Sequence, residues 1–481
     1  MATGLPIEIW LSILQDIAAK AAIPPETHLF PYDRKGADPV QARRALNDLF
    51  SLCLVSRQLG RTAQGLLYRE ISIGYLSENL PSGYCKGRLA SLVTTLTTRR
   101  DLADLVQRAF IHGDLLWALT GEEINSIAHQ AGRVLGFIPR SDFLGPQISS
   151  TNGSRYDWSD LLPISFLIFC LMRNLESIII FPLMFRDLPD WFPPPTGGCR
   201  FPRLKSFEAV ACNEGVLLYG CPSNFFWHRN MNQLLGSRCP ARTVTLYTTS
   251  HLCDILWSFP QLEHLCILAL SMQWSSLRAP AHFAGLRSFR YYKHFDEMDG
   301  LLNSLEAISS SSSATIRELA INLDFLYSLP PSVSVLPTKS FSNLETLVIR
   351  DRNWTRSWRD PRSRISMRAP EAPCIFSAES LPPSARRVFL IFREESVALA
   401  IKDELILGLL HAAQSGRLPQ LRQVYFYLGD ATPQGSDDII HGLELREVYG
   451  EAGVGRPFGD IGVDFRVLRE DFARKQYGWL Y

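Results

Sequence analysis

One phrase recurs downstream of residue 170 and restricts what this chain can fold into more than any other feature. "FPRLKSFEAV", "FPQLEHLCIL", "FAGLRSFRYY", "FSNLETLVIR" and "LPQLRQVYFY" each open on Phe or Leu and carry Leu three residues later. Two variable positions follow, then apolar, variable, apolar. Weaker copies are "MRNLESIIIF", "CPARTVTLYT", "SATIRELAIN" and "PPSARRVFLI". The Leu positions fall at 175, 204, 241, 262, 286, 316, 344, 385 and 421, with gaps of 29, 37, 21, 24, 30, 28, 41 and 36 residues. The alternation predicts a strand in every copy, with one face turned inward: Phe207 and Ala209, Leu265 and Ile267, Phe289 and Tyr291, Leu319 and Ile321, Leu347 and Ile349, Val424 and Phe426. A period in this range marks stacked units. No unit of this size buries its own apolar face, so each must pack on the next.

Between the strand phrases lie stretches of helical periodicity, such as "MDGLLNSLEAI" and "KDELILGLLHAA". The phrase is similar to the strand of a leucine-rich repeat. The resemblance implies an α/β fold over residues 74–481: an irregular, leucine-rich-repeat-like solenoid with a parallel sheet and helices on its convex side. Two features depart from that pattern. The position usually held by Asn or Cys is matched by Cys212, with Asp324 as a substitute, and the units are uneven in length. An ordinary α/β domain with several parallel strands is the alternative. Breaks are expected at "RDLPDWFPPPTGGCR", "SSSSSA" and "SLPPSVSVLPTKS", where Pro, Gly and Ser cluster.

The N-terminal 73 residues read differently. "LPIEIWLSILQDIA" has Pro6 in a first turn, where its missing N–H costs little. Trp10, Ile13, Leu14 and Ile17 follow at helical spacing. Four prolines interrupt the next segment, and helical pattern resumes near Val40 and runs through "LFSLCLVSRQLGRTAQGLLYREI". The module closes on "LYREISI", where Ile71 and Ile73 alternate as in a short strand. Three short helices make a marginal core, so such a module is usually stabilised by docking onto something. On composition alone, that something is the following domain, with the module as its cap, or a separate partner.

The order Leu5-Pro6-x-Glu8-Ile9, Ile13-Leu14, Leu52-x-Leu54-Val55-Ser56-Arg57, Ala63 and Leu67-Tyr68-Arg69 resembles an F-box, and its ending is similar to that of fungal members. The resemblance covers residues 5–73. It implies binding to a Skp-family adaptor and, through it, a cullin ubiquitin ligase. Adaptor-facing residues would be Leu5, Pro6, Ile9, Ile13, Leu14, Leu52, Val55 and Leu59. The insertion at about 21–48 is longer than the family's usual connection between its first two helices.

Charge and motifs exclude several other classes. The chain has 481 residues, 49 basic and 48 acidic, for a net charge of +1, which provides no field for a polyanion or an anionic membrane. Apolar content of 46% and charged content of 20% fit a folded soluble protein. Ten dispersed cysteines suit reduced thiols in the cytoplasm or nucleus. "MATGLPIEIW" has no basic region, so no secretory signal is expected. The apolar region Leu161–Phe185 is broken by Arg173, Asn174 and Glu176, so no membrane span is expected.

No phosphate loop, H-E-x-x-H or G-x-S-x-G is present, and no enzyme activity or cofactor is expected. His251-x-Cys253 and His264-x-Cys266 suggest zinc, but His264 and Cys266 fall on the outward side of a strand and four ligands would not converge. Small apolar packing is the favoured role for these cysteines. "RDRNWTRSWRDPRSRISMRAPEAP" (Arg350 to Pro373) carries seven arginines and two tryptophans against three acidic residues. Such a mixture binds phosphates and bases or anchors a protein contact; a solvated loop is the favoured reading, and no nucleic-acid partner is expected.

The function these readings imply is that of a substrate-recognition subunit of an SCF-type ligase, with a repeat scaffold whose module is only a cap as the alternative. A target would meet the outward strand positions. They are chemically mixed (Glu208, Tyr247, His264, Arg290, Tyr292, Arg350, Tyr425 and Tyr427) and suit an unidentified protein. Arg290, Tyr292, Arg350 and Tyr425 are the candidate target-binding residues, because Arg and Tyr contribute binding energy out of proportion to their number.

Overall fold

The structure, a computed structural model, describes residues 7–21, 39–55, 57–73, 82–112, 121–137, 162–181, 199–210, 235–236, 238–248, 256, 258–269, 281–293, 298–322, 336–351, 377–392, 399–428 and 455–469. The chain divides into two compact units: Met1–Leu246 with Asp254–Gln261, and Tyr247–Cys253 with Leu262–Tyr481. Among the described residues there are twelve strands, and the fold is of the α/β class.

In the first unit, helices α1 (Ile7–Ala21), α2 (Pro39–Val55) and α3 (Arg57–Arg69) precede β1 (Glu70–Ile73). Leu14, Leu49, Leu59 and Ala63 form their shared core, and Trp10, Ile17, Leu52, Leu66 and Leu67 pack against it. Gly60 lets α3 approach the α2 backbone: a Cβ there would stand 2.7 Å from the carbonyl oxygen of Cys53. The strand that closes the helical module is also a sheet member, since β1 pairs in parallel with β2 (Arg108–His112).

Helices α4 (Ser82–Thr98), α5 (Arg100–Ala103), α6 (Gly121–Leu135) and α7 (Leu162–Cys170) alternate with the strands. Helix α6 buries Ile124, Ile127, Ala128 and Ala131, the one-sided spacing of an amphipathic helix. In α7, Ile164 and Phe166 through Phe169 are all buried, so the helix is enclosed on every side. That enclosure accounts for the apolar region near Leu161. Among the described residues no helix is long and apolar enough to cross a membrane.

Strands β2, β3 (Ser177–Phe181) and β4 (Ser206–Val210) pair successively in parallel, and β5 (Thr243–Thr248) follows. Register aligns Ile71, Ala109, Ile178 and Phe207 in one buried row. In the second unit, β6 (His264–Ala269), β7 (Ser288–Lys293), β8 (Glu318–Asn322), β9 (Thr346–Asp351), β10 (Arg387–Phe392), β11 (Gln423–Leu428) and β12 (Asp464–Arg469) pair in parallel, each with the next. Its inward row runs Leu265, Phe289, Leu319, Leu347, Val388 and Val424, all fully buried.

Helices α8 (Met298–Ser312), α9 (Leu399–Gln414) and α10 (Gly455–Asp460) complete the second unit. The serine run expected to break the chain instead ends α8. Ser309, Ser310 and Ser311 return their hydroxyl hydrogens to carbonyls three or four residues earlier, which satisfies these side chains inside the helix. Ser312 is buried and donates to the Phe283 carbonyl. The other two expected breaks fall mostly outside the described residues, as do Cys212 and Asp324.

Every one of the nine phrases opens a strand two residues after its Leu position, and that position is buried in all nine. The residue after it carries a recurrent hydrogen-bond pattern. Its carbonyl accepts two N–H groups from the next strand's entry: Glu263 from Arg287 and Ser288, Arg287 from Arg317 and Glu318, Arg317 from Glu345 and Thr346. Side chains at this position pair across strands: Lys205–Glu176 at 2.7 Å, Arg287–Glu263 at 3.6 Å and Arg317–Glu345 at 3.9 Å. In each pair the basic side chain is exposed and the acidic one half-buried, so each contributes little; the double carbonyl acceptance is what repeats with the strand register.

Candidate functional site

Two surfaces carry the residues that the sequence singles out. The first is formed by α1 and α2. Helical spacing sorts α1 into an inner row, Trp10, Leu14 and Ile17, and an outer row containing Ile9 and Ile13. Both isoleucines are exposed, as is Leu11. On α2, Leu49 faces the core while Phe50 and Leu54, one turn apart, face solvent with Val55. Leu54 is 76% exposed, the most open large apolar side chain among the described residues.

The expected adaptor set divides on this surface. Ile9, Ile13 and Val55 are exposed, and Leu52 is half-buried against the core. Leu14 and Leu59 are corrected: they are 1% and 7% exposed and hold the three helices together, so neither presents a side chain to a partner. Leu5 and Pro6 lie outside the described residues. Phe50 and Leu54, exposed on the same helix as Val55, were not among the residues singled out. The signal was available, since both fall one position off the inner row of α2 at a spacing of four.

The second surface is the outward side of the strands in the second unit. Register places Tyr292, Asn322 and Arg350 in one row, and Arg290, Ala320, Val348, Phe389 and Tyr425 in the row beside it. All four candidate target-binding residues therefore share one side of the sheet. Tyr292 and Arg350 are two strand spacings apart, roughly 10 Å; Arg290 and Tyr425 are four apart, roughly 19 Å. The side chains of Tyr292 and Arg350 lie outside what is described, as does the Arg-rich segment beyond Asp351.

Two of the four are already engaged. Arg290 donates through Nε to Glu318 Oε1 at 3.0 Å and pairs through Nη2 at 2.9 Å, with both side chains half-buried. Tyr425 is corrected from an exposed anchor to a buried one. Its hydroxyl donates to Asp464 Oδ2 at 2.9 Å, and its ring meets Phe389 edge-on at 5.4 Å. The Arg466 guanidinium lies over the same ring at 5.7 Å and donates to Asp464 Oδ1 at 2.9 Å. Burial raises the Tyr425 phenol, and the Asp464 carboxylate adds to the rise. This group consolidates β10, β11 and β12.

Much of this side is buried too. Cys266, Ala320, Val348, Phe389 and Ile391 are outward by register yet closed to solvent. The row next to them is polar: His264, Ser288, Glu318, Thr346, Arg387, Gln423 and Asp464. Arg387 donates to Thr346 Oγ1 at 3.0 Å across β9 and β10. Burial lowers the His264 imidazole, with Arg290 and Arg287 pushing the same way and Glu263 and Glu318 opposing them.

Cys266 packs as a small buried side chain beside this row. Among the described residues no three His, Cys, Asp or Glu side chains stand close enough to share a metal ion; His251 and Cys253 are not among them.

No family model matches the chain, and no curated protein matches it.

Proposed function

We propose that the chain is a substrate-recognition subunit of an SCF-type ubiquitin ligase. In this reading residues 1–73 are an F-box that holds a Skp-family adaptor and, through it, a cullin. Residues 74–481 form a leucine-rich-repeat-like solenoid that holds a protein target. The chain performs no bond chemistry; it raises the target's effective concentration beside the transferring enzyme. Such a complex works in the cytoplasm or nucleus.

The observation that carries the reading is the apolar surface on α1 and α2: Ile9, Ile13, Phe50, Leu54 and Val55 remain in solvent while the helices keep a separate core. Burying an aliphatic side chain of this size contributes about 1.5–3 kcal/mol, so a partner covering several of them binds firmly. Strands in chain order with a recurrent buried Leu position support the repeat reading.

A second reading is favoured by one specific contact. The module ends in β1, which is paired with β2, and Arg69 Nε donates to Gln107 Oε1 at 2.8 Å while the Arg69 carbonyl accepts the Gln107 N–H. A helical cap on a scaffold would be joined to its sheet in the same way.

Co-purification with a Skp adaptor separates the two. Ile13→Asp with Leu54→Asp changes only exposed positions, so folding is retained while the contact would have to desolvate two carboxylates, at several kcal/mol. Loss of adaptor in the double variant supports the ligase reading. Absence of adaptor from the unmodified chain leaves the scaffold reading.

A further inference from the structure

The residue after each buried Leu position stands at the entry of its strand. In the second unit these residues, from β6 to β11, are Glu263, Arg287, Arg317, Glu345, Arg386 and Arg422, and every one is charged. The repeated carbonyl acceptance holds them in a line at one end of the sheet. It continues through Glu345, which accepts from Arg386 and Arg387, and through Arg386, which accepts from Arg422 and Gln423. Neighbouring rungs of this line are roughly 4.8 Å apart. Their side chains reach one another, as Arg287 with Glu263 at 3.6 Å and Arg317 with Glu345 at 3.9 Å demonstrate.

The pairing of opposite charges stops at the last two rungs. Arg386 and Arg422 are neighbours, and both are exposed. Arg386 donates through Nε to Gln420 Oε1 at 3.1 Å, a neutral partner. Among the described residues no carboxylate pairs with either guanidinium. The carboxylates that flank them in register are committed elsewhere: Glu345 to Arg317, and Asp464 to Tyr425 and Arg466. Arg387, the first residue of β10, is also exposed and donates to Thr346 rather than to a carboxylate. Folding does not require this arrangement. The exposed side chains add nothing to the core, and like charges at this spacing repel one another. A ligand bearing carboxylates would remove the repulsion and gain charge-assisted hydrogen bonds.

We propose that the entry end of β10 and β11 is a docking site for an acidic segment of a partner protein, held by Arg386, Arg387 and Arg422. A planar guanidinium grips a carboxylate through two parallel N–H···O bonds. Alternate side chains of an extended segment are about 6.6 Å apart, against roughly 4.8 Å between rungs, and long Arg side chains span the difference. A nucleic acid fits this site less well, because a phosphate backbone needs a longer basic track. Here the track is short, with Glu345 on the rung before it and Asp464 beside Gln423 after it.

The proposal goes beyond the ligase reading and does not depend on an adaptor. Its test titrates the full chain into a fluorescein-labelled peptide of alternating Glu and Gly and follows anisotropy. Saturable binding that weakens steeply with added salt is expected. Arg386→Glu with Arg422→Glu should weaken it by about tenfold or more. The same charge change at Arg203 and Arg238, exposed positions of the first unit, should alter it by less than about twofold. A peptide of alternating Lys and Gly should bind the reversed variant and not the unmodified chain. Arg386→Gln with Arg422→Gln, read with the Glu peptide, decides the matter if the reversed variant does not fold. Three results would overturn the proposal: no saturable binding by the unmodified chain, equal weakening in the first-unit control, or displacement of the peptide by a single-stranded oligonucleotide at a lower concentration than by unlabelled peptide. Because adaptor co-purification is a separate measurement, failure of the ligase reading leaves this one standing, and the reverse holds as well.

Discussion

Helix α3 contains two glycines, Gly60 and Gly65, whose surroundings predict opposite outcomes for one substitution. Glycine in a helix interior costs about 1 kcal/mol relative to alanine, so Gly→Ala is ordinarily stabilising. At Gly65 nothing lies within 4 Å of the position a Cβ would take, and that gain should be realised. At Gly60 the Cβ would stand 2.7 Å from the Cys53 carbonyl oxygen, with the Cys53 carbonyl carbon at 3.5 Å. The obstacle is the backbone of α2, which cannot rotate aside as a side chain can.

The two helices must then part by several tenths of an ångström, and Leu49, Leu59 and Ala63 lose contact with one another. Overpacking of this kind costs typically 1–3 kcal/mol, and a rigid obstacle places it in the upper part of that range. After the propensity gain, Gly60→Ala should destabilise the module by about 1–2 kcal/mol, roughly a five- to thirtyfold change in the folded ratio. Native-state hydrogen exchange of the α2 and α3 amides reads this directly, without requiring the whole chain to unfold in one step. Protection should fall in Gly60→Ala and rise roughly fivefold in Gly65→Ala. If both substitutions raise protection alike, the close approach of α3 to Cys53 is wrong, and with it the placement of the inner and outer rows.

Two further outcomes are expected in the second unit. Leu347 is fully buried between Leu319 and Val388 in register, so Leu347→Ala should cost about 2–5 kcal/mol, measured as a shift in denaturant midpoint at unchanged slope. His264 has its folded-state acidity shifted below the ordinary value of about 6.5, so the unfolded chain binds its proton more readily. Stability should therefore fall as pH drops below that value, and His264→Gln should flatten this limb in a denaturant-midpoint series; an unchanged limb would show that other groups produce it.

The strand pattern was legible because it is local. An apolar residue, two positions, then an alternating pair defines which side of one strand is wet, and the inward row followed from that alone. Burial of the opposite side was less legible, although a signal existed. "SIIIF", "TLVIR" and "RVFLIF" are continuous apolar runs, which parallel strands covered on both sides display, and Ile179, Val348 and Phe389 are buried accordingly. Strand β2 was missed because its phrase places small Ala109 where the others carry a large side chain, and β12 because Gly462 stands at its Leu position.

The candidate sites divide on the same physical line. Helical spacing alone identified an apolar face on α1 and α2, but three helices meeting in a small core use part of that face internally. Which residues are used depends on where the axes cross. Leu14 and Leu59 went inward and Leu54 was left outside, in a module where Gly60 seats α3 close against the α2 backbone at Cys53. On the sheet, alternation placed Arg290 and Tyr425 outward, and register agrees. Their engagement with Glu318 and Asp464 was not readable, since these partners lie 28 and 39 residues away along the chain. Periodicity is a property of neighbours in sequence, whereas burial and pairing are set by neighbours in space, and those exist only once the units have packed.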